Sequence, residues 1–194
     1  MNNIAEESTG EIQLVVFDLA SEYYGINISD VREIMRMQSI TRVPGAYSFV
    51  EGVINLRGNV LPVIDLRKRL GLKISEHTKE SRIVVIDINS SEIGVIVDAV
   101  TEVLRVPKSS IEPASSIITN TSSNYLWGIA KLPDKLIILI DPDKALSEIE
   151  EEQFNIEAII EAARSNNKQN SNSKNKNDNS ESEIDTKDLA AVKT

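Results

Sequence analysis

The chain repeats itself, and the repeat limits the folds it can adopt. The segment LVVFDLASEYYGINISDVREIMRM (14–37) lies over IVVIDINSSEIGVIVDAVTEVLRV (83–106) without a gap, at an offset of 69 residues. Val15, Val16, Asp18, Ser21, Gly25, Val31, Glu33 and Arg36 fall on Val84, Val85, Asp87, Ser90, Gly94, Val100, Glu102 and Arg105. A second block, GVINLRGNVLPVIDLRKRL (52–70), lies over GIAKLPDKLIILIDPDKAL (128–146) at an offset of 76 residues. The blocks recur in the same order. The chain therefore reads as two similar β-subdomains, about 11–80 and about 81–150.

Each half carries about five strand-like runs rich in Val and Ile and broken by Gly, Pro, Asn and Asp. Runs such as VLPVIDL (60–66) and RIVVIDI (82–88) are apolar on almost every residue. Such strands are covered on both faces, or belong to small barrels with a further surface to bury. The expected fold is mostly β, two pseudo-repeated five-stranded SH3-like barrels. Closure into barrels removes the edges an open sheet would expose. Helical pattern is confined to a short turn near Ser29–Met35 and a longer stretch near Asp143–Arg164. In the latter, Leu146, Ile149, Ile156, Ile160 and Ala163 form a stripe at helical spacing, read as a cap packed on the body.

Residues shared by both halves are read as fold positions. Gly25 and Gly94 are placed at the bend of each first hairpin. Asp65 and Asp141 follow the last strand of each half, where a carboxylate caps the next turn. Residues that differ are better candidates for function. RGN (57–59) stands where the second half has PDK (133–135), and Gly58-Asn59 suits a tight turn with positive φ. Arg57 thus has no fold duty that its counterpart Pro133 shares.

The ends are a different material. Residues 1–10 read as a flexible N-terminus without the basic and apolar regions of a signal peptide. From Ser165 to Ser180 seven of sixteen residues are Asn, and 165–194 is predicted to be a disordered tail. The tail is neutral, so the whole net charge of −9 lies on residues 1–164. An acidic body repels nucleic acid, and aromatics at 4% leave few stacking platforms. No apolar run approaches the roughly 20 residues of a membrane helix, so no direct membrane insertion is expected. Cysteine is absent, which removes disulfides, thiolate metal sites and cysteine nucleophiles.

Catalytic patterns do not assemble either. The sole histidine, His77, sits in the polar stretch KISEHTKE (73–80) and reads as a solvated linker residue. DPD (141–143) lacks the spacing of a calcium loop and reads as a helix start, with Pro142 at the first helical position. No enzyme activity, cofactor or metal is expected. What remains is a binding body, with Val31, Ile34, Met35 and Met37 as candidate surface in a groove that suits a partner's helix.

The blocks FDLASEYYGINISDVREI, GVINLRGNVLPVIDLRKRLG, IGVIVDAVTEVLRV and LIILIDPDKAL resemble the CheW family, the adaptor proteins of bacterial chemotaxis, over nearly all of residues 11–150. The resemblance implies a non-enzymatic, cytoplasmic domain over 11–164. It would join the cytoplasmic helical tips of chemoreceptors to the regulatory domain of the histidine kinase CheA, in arrays at the inner face of the membrane. It places receptor contact at Val31, Glu33, Arg57 and Gly58, with Ile83 and Val97 lining a groove between the barrels. Glu33 and Arg57 are expected to pair across that surface. Kinase contact is carried over to Ile40 and Val43 in a first-half loop and to Leu136 and Ile138 on the second hairpin. Two rival readings are a paralogous adaptor in a non-motility or twitching pathway, and a β-barrel carrier of a small ligand, which would need an interior pocket.

Overall fold

A computed structural model describes residues 10–88, 91–114 and 125–147. The described residues form eleven strands: β1 (Glu11–Leu19), β2 (Glu22–Asn27), β3 (Val31–Arg36), β4 (Val50–Leu56), β5 (Asn59–Asp65), β6 (Arg82–Ile88), β7 (Ser91–Val97), β8 (Ala99–Pro107), β9 (Ile111–Pro113), β10 (Leu126–Lys131) and β11 (Leu136–Ile140). Two short helices, α1 (Leu66–Arg69) and α2 (Pro142–Ser147), follow the last strand of each half. Asp65 and Asp141 cap them as expected: each Oδ1 accepts the backbone N–H three residues on, from Lys68 and Lys144, both at 3.2 Å. The helix expected at 143–164 is described only over its first turns; the rest of it and the tail lie outside the described residues. Among the described residues no helix is long and apolar enough to cross a membrane.

The sheets do not follow the sequence halves. One has the order β8-β1-β2-β11-β10-β9, the other β3-β6-β7-β5-β4. The first hairpin of each half is therefore exchanged: β1–β2 joins the second-half strands, and β6–β7 joins the first-half strands. The boundary near residue 80 marks the repeat and not a partition of the sheets. Each edge strand leads back to the far edge of its own sheet. The chain leaving β8 turns through a 3-10 segment (Lys108–Ser110) and returns as β9 on β10. The chain leaving β3 returns at Thr41, which bridges Val53 of β4.

This closure explains why the strands are apolar on both faces. Alternate side chains of one strand enter different cores. Leu14, Val16, Ile137 and Leu139 fill the interior of the six-stranded sheet. Ile83, Val85, Leu61 and Val63 fill the interior of the five-stranded one. Their neighbours Val15, Phe17, Val84, Ile86, Val95 and Ile140 meet between the two sheets. An apolar cavity of about 20 Å³ remains there, lined in part by Phe17, Val84, Val97 and Leu146. It has room for about one water, well short of the hundreds of Å³ a small-ligand carrier needs.

Two local expectations change. Residues 31–36 form a strand, and only Ile28–Asp30 makes a 3-10 turn. Val31, Glu33 and Met35 are half-buried while Arg32, Ile34 and Arg36 are exposed, a period of two. The open edge of β6 supplies hydrogen-bond partners from Arg82 to Ile86, and that pairing overrides the helical spacing of Val31, Ile34 and Met35. Gly25 and Gly94 sit inside β2 and β7, not at bends. A Cβ on Gly94 would lie 2.8 Å from Ile83 Cγ2, and one on Gly25 would lie 3.1 Å from Ile137 Cγ2. They are glycines because the sheet interiors leave no room there. The bend between β1 and β2 belongs to Ala20 and Ser21, at φ 55° and 70°.

One polar bracket ties the sheets together. Asp98, between β7 and β8, accepts Arg67 Nε at 2.7 Å and the backbone N–H of Ala20 at 2.8 Å. Arg67 also ion-pairs to the second carboxylate oxygen and donates to the Lys73 carbonyl at 2.6 Å. The bond to Asp98 holds the Arg67 guanidinium above its ordinary pKa. Removing the guanidinium leaves a largely covered carboxylate short of its partner. Arg67→Ala is expected to lose about 2 kcal/mol of stability, read as a lower urea midpoint with an unchanged slope.

Candidate interaction surface at the Arg57 turn

Leu56 pairs with Asn59, so the β4–β5 hairpin closes over Arg57 and Gly58 alone. Both are left-handed, at φ 52° and 92°. The corners therefore lie one residue earlier than the sequence placed them, and Asn59 belongs to the strand. Two left-handed corners characterise a type I′ turn, which follows the strand twist and favours Asn or Gly at its first corner. Asn55 closes the turn by accepting the Gly58 N–H at 2.8 Å. An arginine in left-handed backbone costs about 1 kcal/mol. Backbone geometry therefore does not select Arg57, and its side chain gives the reason for its presence.

That side chain reaches β3. Arg57 Nη2 lies 2.9 Å from Glu33 Oε2, which is the pairing expected from the sequence. The arginine side chain is 77% exposed and the glutamate 28%. β3 and β4 are opposite edges of the five-stranded sheet, so the pair spans the mouth of the closed sheet. Beneath it Leu56, Met35, Met37 and Ile40 pack on the interior. The bulge between Val31 and Glu33 hands β3 from one core to another. Val31 packs on the inter-sheet core and Met35 on the interior of the five-stranded sheet.

The second half carries the same clasp with the cation moved two places along the turn. Glu102 is the counterpart of Glu33, and it pairs with Lys135, the counterpart of Asn59. Lys135 also sits 5.4 Å from the centre of the Tyr23 ring, a cation–π contact. Its side chain is only 16% exposed. The hydrogen bond to Glu102 holds its ammonium above the ordinary pKa. A Glu–cation clasp is thus a property of the fold, and Arg57 does share a duty across the repeat. The sequence signal was available: Glu33 and Glu102 align, and a cation stands in each turn. What differs is display, since the first clasp is open to a partner and the second is tucked in.

The other expected site residues do not all reach this surface. Ile83 and Val97 are 0% and 1% exposed and lie in different cores, so neither lines a groove. Both stand on inner strands covered on two faces. Gly58 is exposed at the turn, and Val31 is half-buried at the start of β3. Ile40 packs on the interior of the five-stranded sheet, and Val43 and Ile138 pack on the inter-sheet core. Leu136 stands out at 58% exposed.

A stiff, closed β-scaffold that displays a charged pair at a hairpin tip above apolar side chains defines a protein-binding domain. The family profile of the CheW-like domain matches residues 13–150, and the chain belongs to that family. It is 41% identical over 142 residues to Chemotaxis protein CheW of Bacillus subtilis, covering 73% of this chain and 90% of that protein. The same-named protein of Klebsiella aerogenes is 32% identical over 147 residues, covering 76% and 88%. The crystal structure of the scaffolding protein TtCheW from Thermoanaerobacter tengcongensis matches with a TM-score of 0.63 at 45% identity, covering 68% of this chain and 90% of that one.

Proposed function

We propose that this chain is a chemotaxis adaptor that couples the cytoplasmic helical tips of chemoreceptors to the regulatory domain of the histidine kinase CheA. It would do so without catalysis, in the cytoplasm at the inner face of the membrane. The receptor helix meets Glu33, Arg57 and Gly58, with Val31 at the edge of the surface. The observation that carries this reading is an arginine kept in unfavourable backbone while its guanidinium stays largely open to solvent. Ile83 and Val97 act by holding β6 and β7 in place beneath. The kinase is assigned to the apolar residues Leu136 and Ile138 on β11, with Ile40 and Val43 on the first-half loop.

Arg57→Asn separates fold from function. Asparagine suits left-handed backbone better than arginine, while an exposed ion pair contributes only about 0–1 kcal/mol. The variant is therefore expected to unfold within about 1 kcal/mol of the wild type. It should nevertheless bind a receptor signalling fragment at least tenfold more weakly, roughly the loss of one charged contact, while keeping kinase affinity. Calorimetry against each partner reads both. Equal receptor affinity in the variant would remove Arg57 from the interface, and failure of the wild type to bind kinase would sink the coupling role.

A further inference from the structure

We propose that Glu51, Asp65 and His77 form a binding site for a borderline transition-metal dication, zinc by preference, independent of the coupling surface. One ligand atom from each lies within 4.8 Å of the other two. Donors around a tetrahedral zinc are about 3.3 Å apart, so side-chain adjustment alone closes the set. Two carboxylates and an imidazole suit zinc and leave a fourth position for water.

The three residues are held by different means. Asp65 is 2% exposed and ends β5 as the cap of α1. Glu51 is the bulged residue of β4, between Val50 and Gly52. His77 is exposed on an irregular stretch that is pinned on both sides. Arg67 holds the Lys73 carbonyl, and the Thr78 N–H donates to Ser81 Oγ at 2.9 Å. Arg82 then gathers the carbonyls of Lys79, Glu80 and Ser81 at 2.8–2.9 Å. This stretch is more ordered than a solvated linker, and that order presents the imidazole to the two carboxylates.

The site already holds positive charge, since the Lys68 ammonium pairs with Glu51. A dication would displace it toward solvent, where the lysine side chain is already 26% exposed. The repeat shows that the fold does not require this arrangement. The counterpart of Glu51 is Trp127, and the counterpart of Lys68, Lys144, pairs with Asp141 at 3.2 Å instead. A bound ion would fasten the segment between the halves to the base of the β4–β5 hairpin.

The test is a calorimetric titration of zinc into the metal-stripped full chain, prepared without a histidine tag. The chain has one histidine and no cysteine, so an imidazole-dependent signal can come from His77 alone. Saturable one-site binding is expected, weakened at least about tenfold in His77→Ala and again in Glu51→Gln. Cobalt(II) in place of zinc gives a visible absorption band that His77→Ala abolishes. His77→Ala leaves the metal-free urea midpoint close to wild type because His77 is exposed, whereas Glu51→Gln lowers it somewhat by breaking the part-buried pair with Lys68. Undiminished affinity in His77→Ala would place the ion on carboxylates alone and overturn the site, as would no saturable binding by the wild type.

Discussion

Residues 1–80 expressed alone do not fold. Without β6–β7, strand β3 is cut off from the β4–β5 hairpin, because the exchanged hairpin stands between them in the sheet. Without β8 and β11, the β1–β2 hairpin has no neighbour on either side. The fragment is left with two isolated hairpins and an orphan strand, and isolated hairpins are marginal in water. Its apolar residues lose their partners as well: Val15 and Phe17 pack with Val84 and Val95 of the other half. The fragment is expected to show no cooperative unfolding and poorly dispersed amide resonances. Mixing it with residues 81–194 restores both, since the cut falls in the irregular stretch between the halves. A cooperative transition in the first fragment alone would show that the sequence repeat is also a folding unit.

Gly52→Ala strongly destabilises the protein. Gly52 has φ 142°, a conformation open essentially to glycine, and an added Cβ would lie 2.1 Å from the Thr41 carbonyl oxygen. Backbone crowds it there because Thr41 returns to pair with Val53 and closes the sheet. Strain and overpacking together are expected to remove about 4 kcal/mol, a large share of a typical 5–15 kcal/mol. Gly58→Ala is the contrasting variant. It also has positive φ, but nothing lies within 4 Å of its added Cβ, so it should lose only about 1 kcal/mol. Denaturant midpoints of the two variants separate crowding from backbone preference. Similar losses for both would mean that the Thr41 return strand moves aside.

The repeat partner of Gly52 behaves the same way. A Cβ on Gly128 would lie 2.6 Å from the Glu112 carbonyl oxygen, where β9 closes the other sheet. One physical constraint therefore explains a glycine that the sequence displays twice. The aspartate caps are legible for the same reason, because each requirement is local and recurs in both halves. The Glu33–Arg57 pair was also within reach. Glu102–Lys135 is hidden from an aligned comparison of single positions, because the cation shifts by two residues.

What sequence alone determined is whatever depends on neighbours along the chain or on pattern. This covers the two-fold repeat, strands apolar on both faces, the capped turns and the tight hairpin holding Arg57. Tertiary structure decided which strands pair. It sent the first hairpin of each half into the other half's sheet, made residues 31–36 a strand, and buried Ile83 and Val97 beneath the surface they were expected to line. The physical reason is that strand pairing is bought with long-range backbone hydrogen bonds, and two similarly patterned halves offer each hairpin two comparable edges. Local pattern cannot choose between them; the shared core between the sheets can.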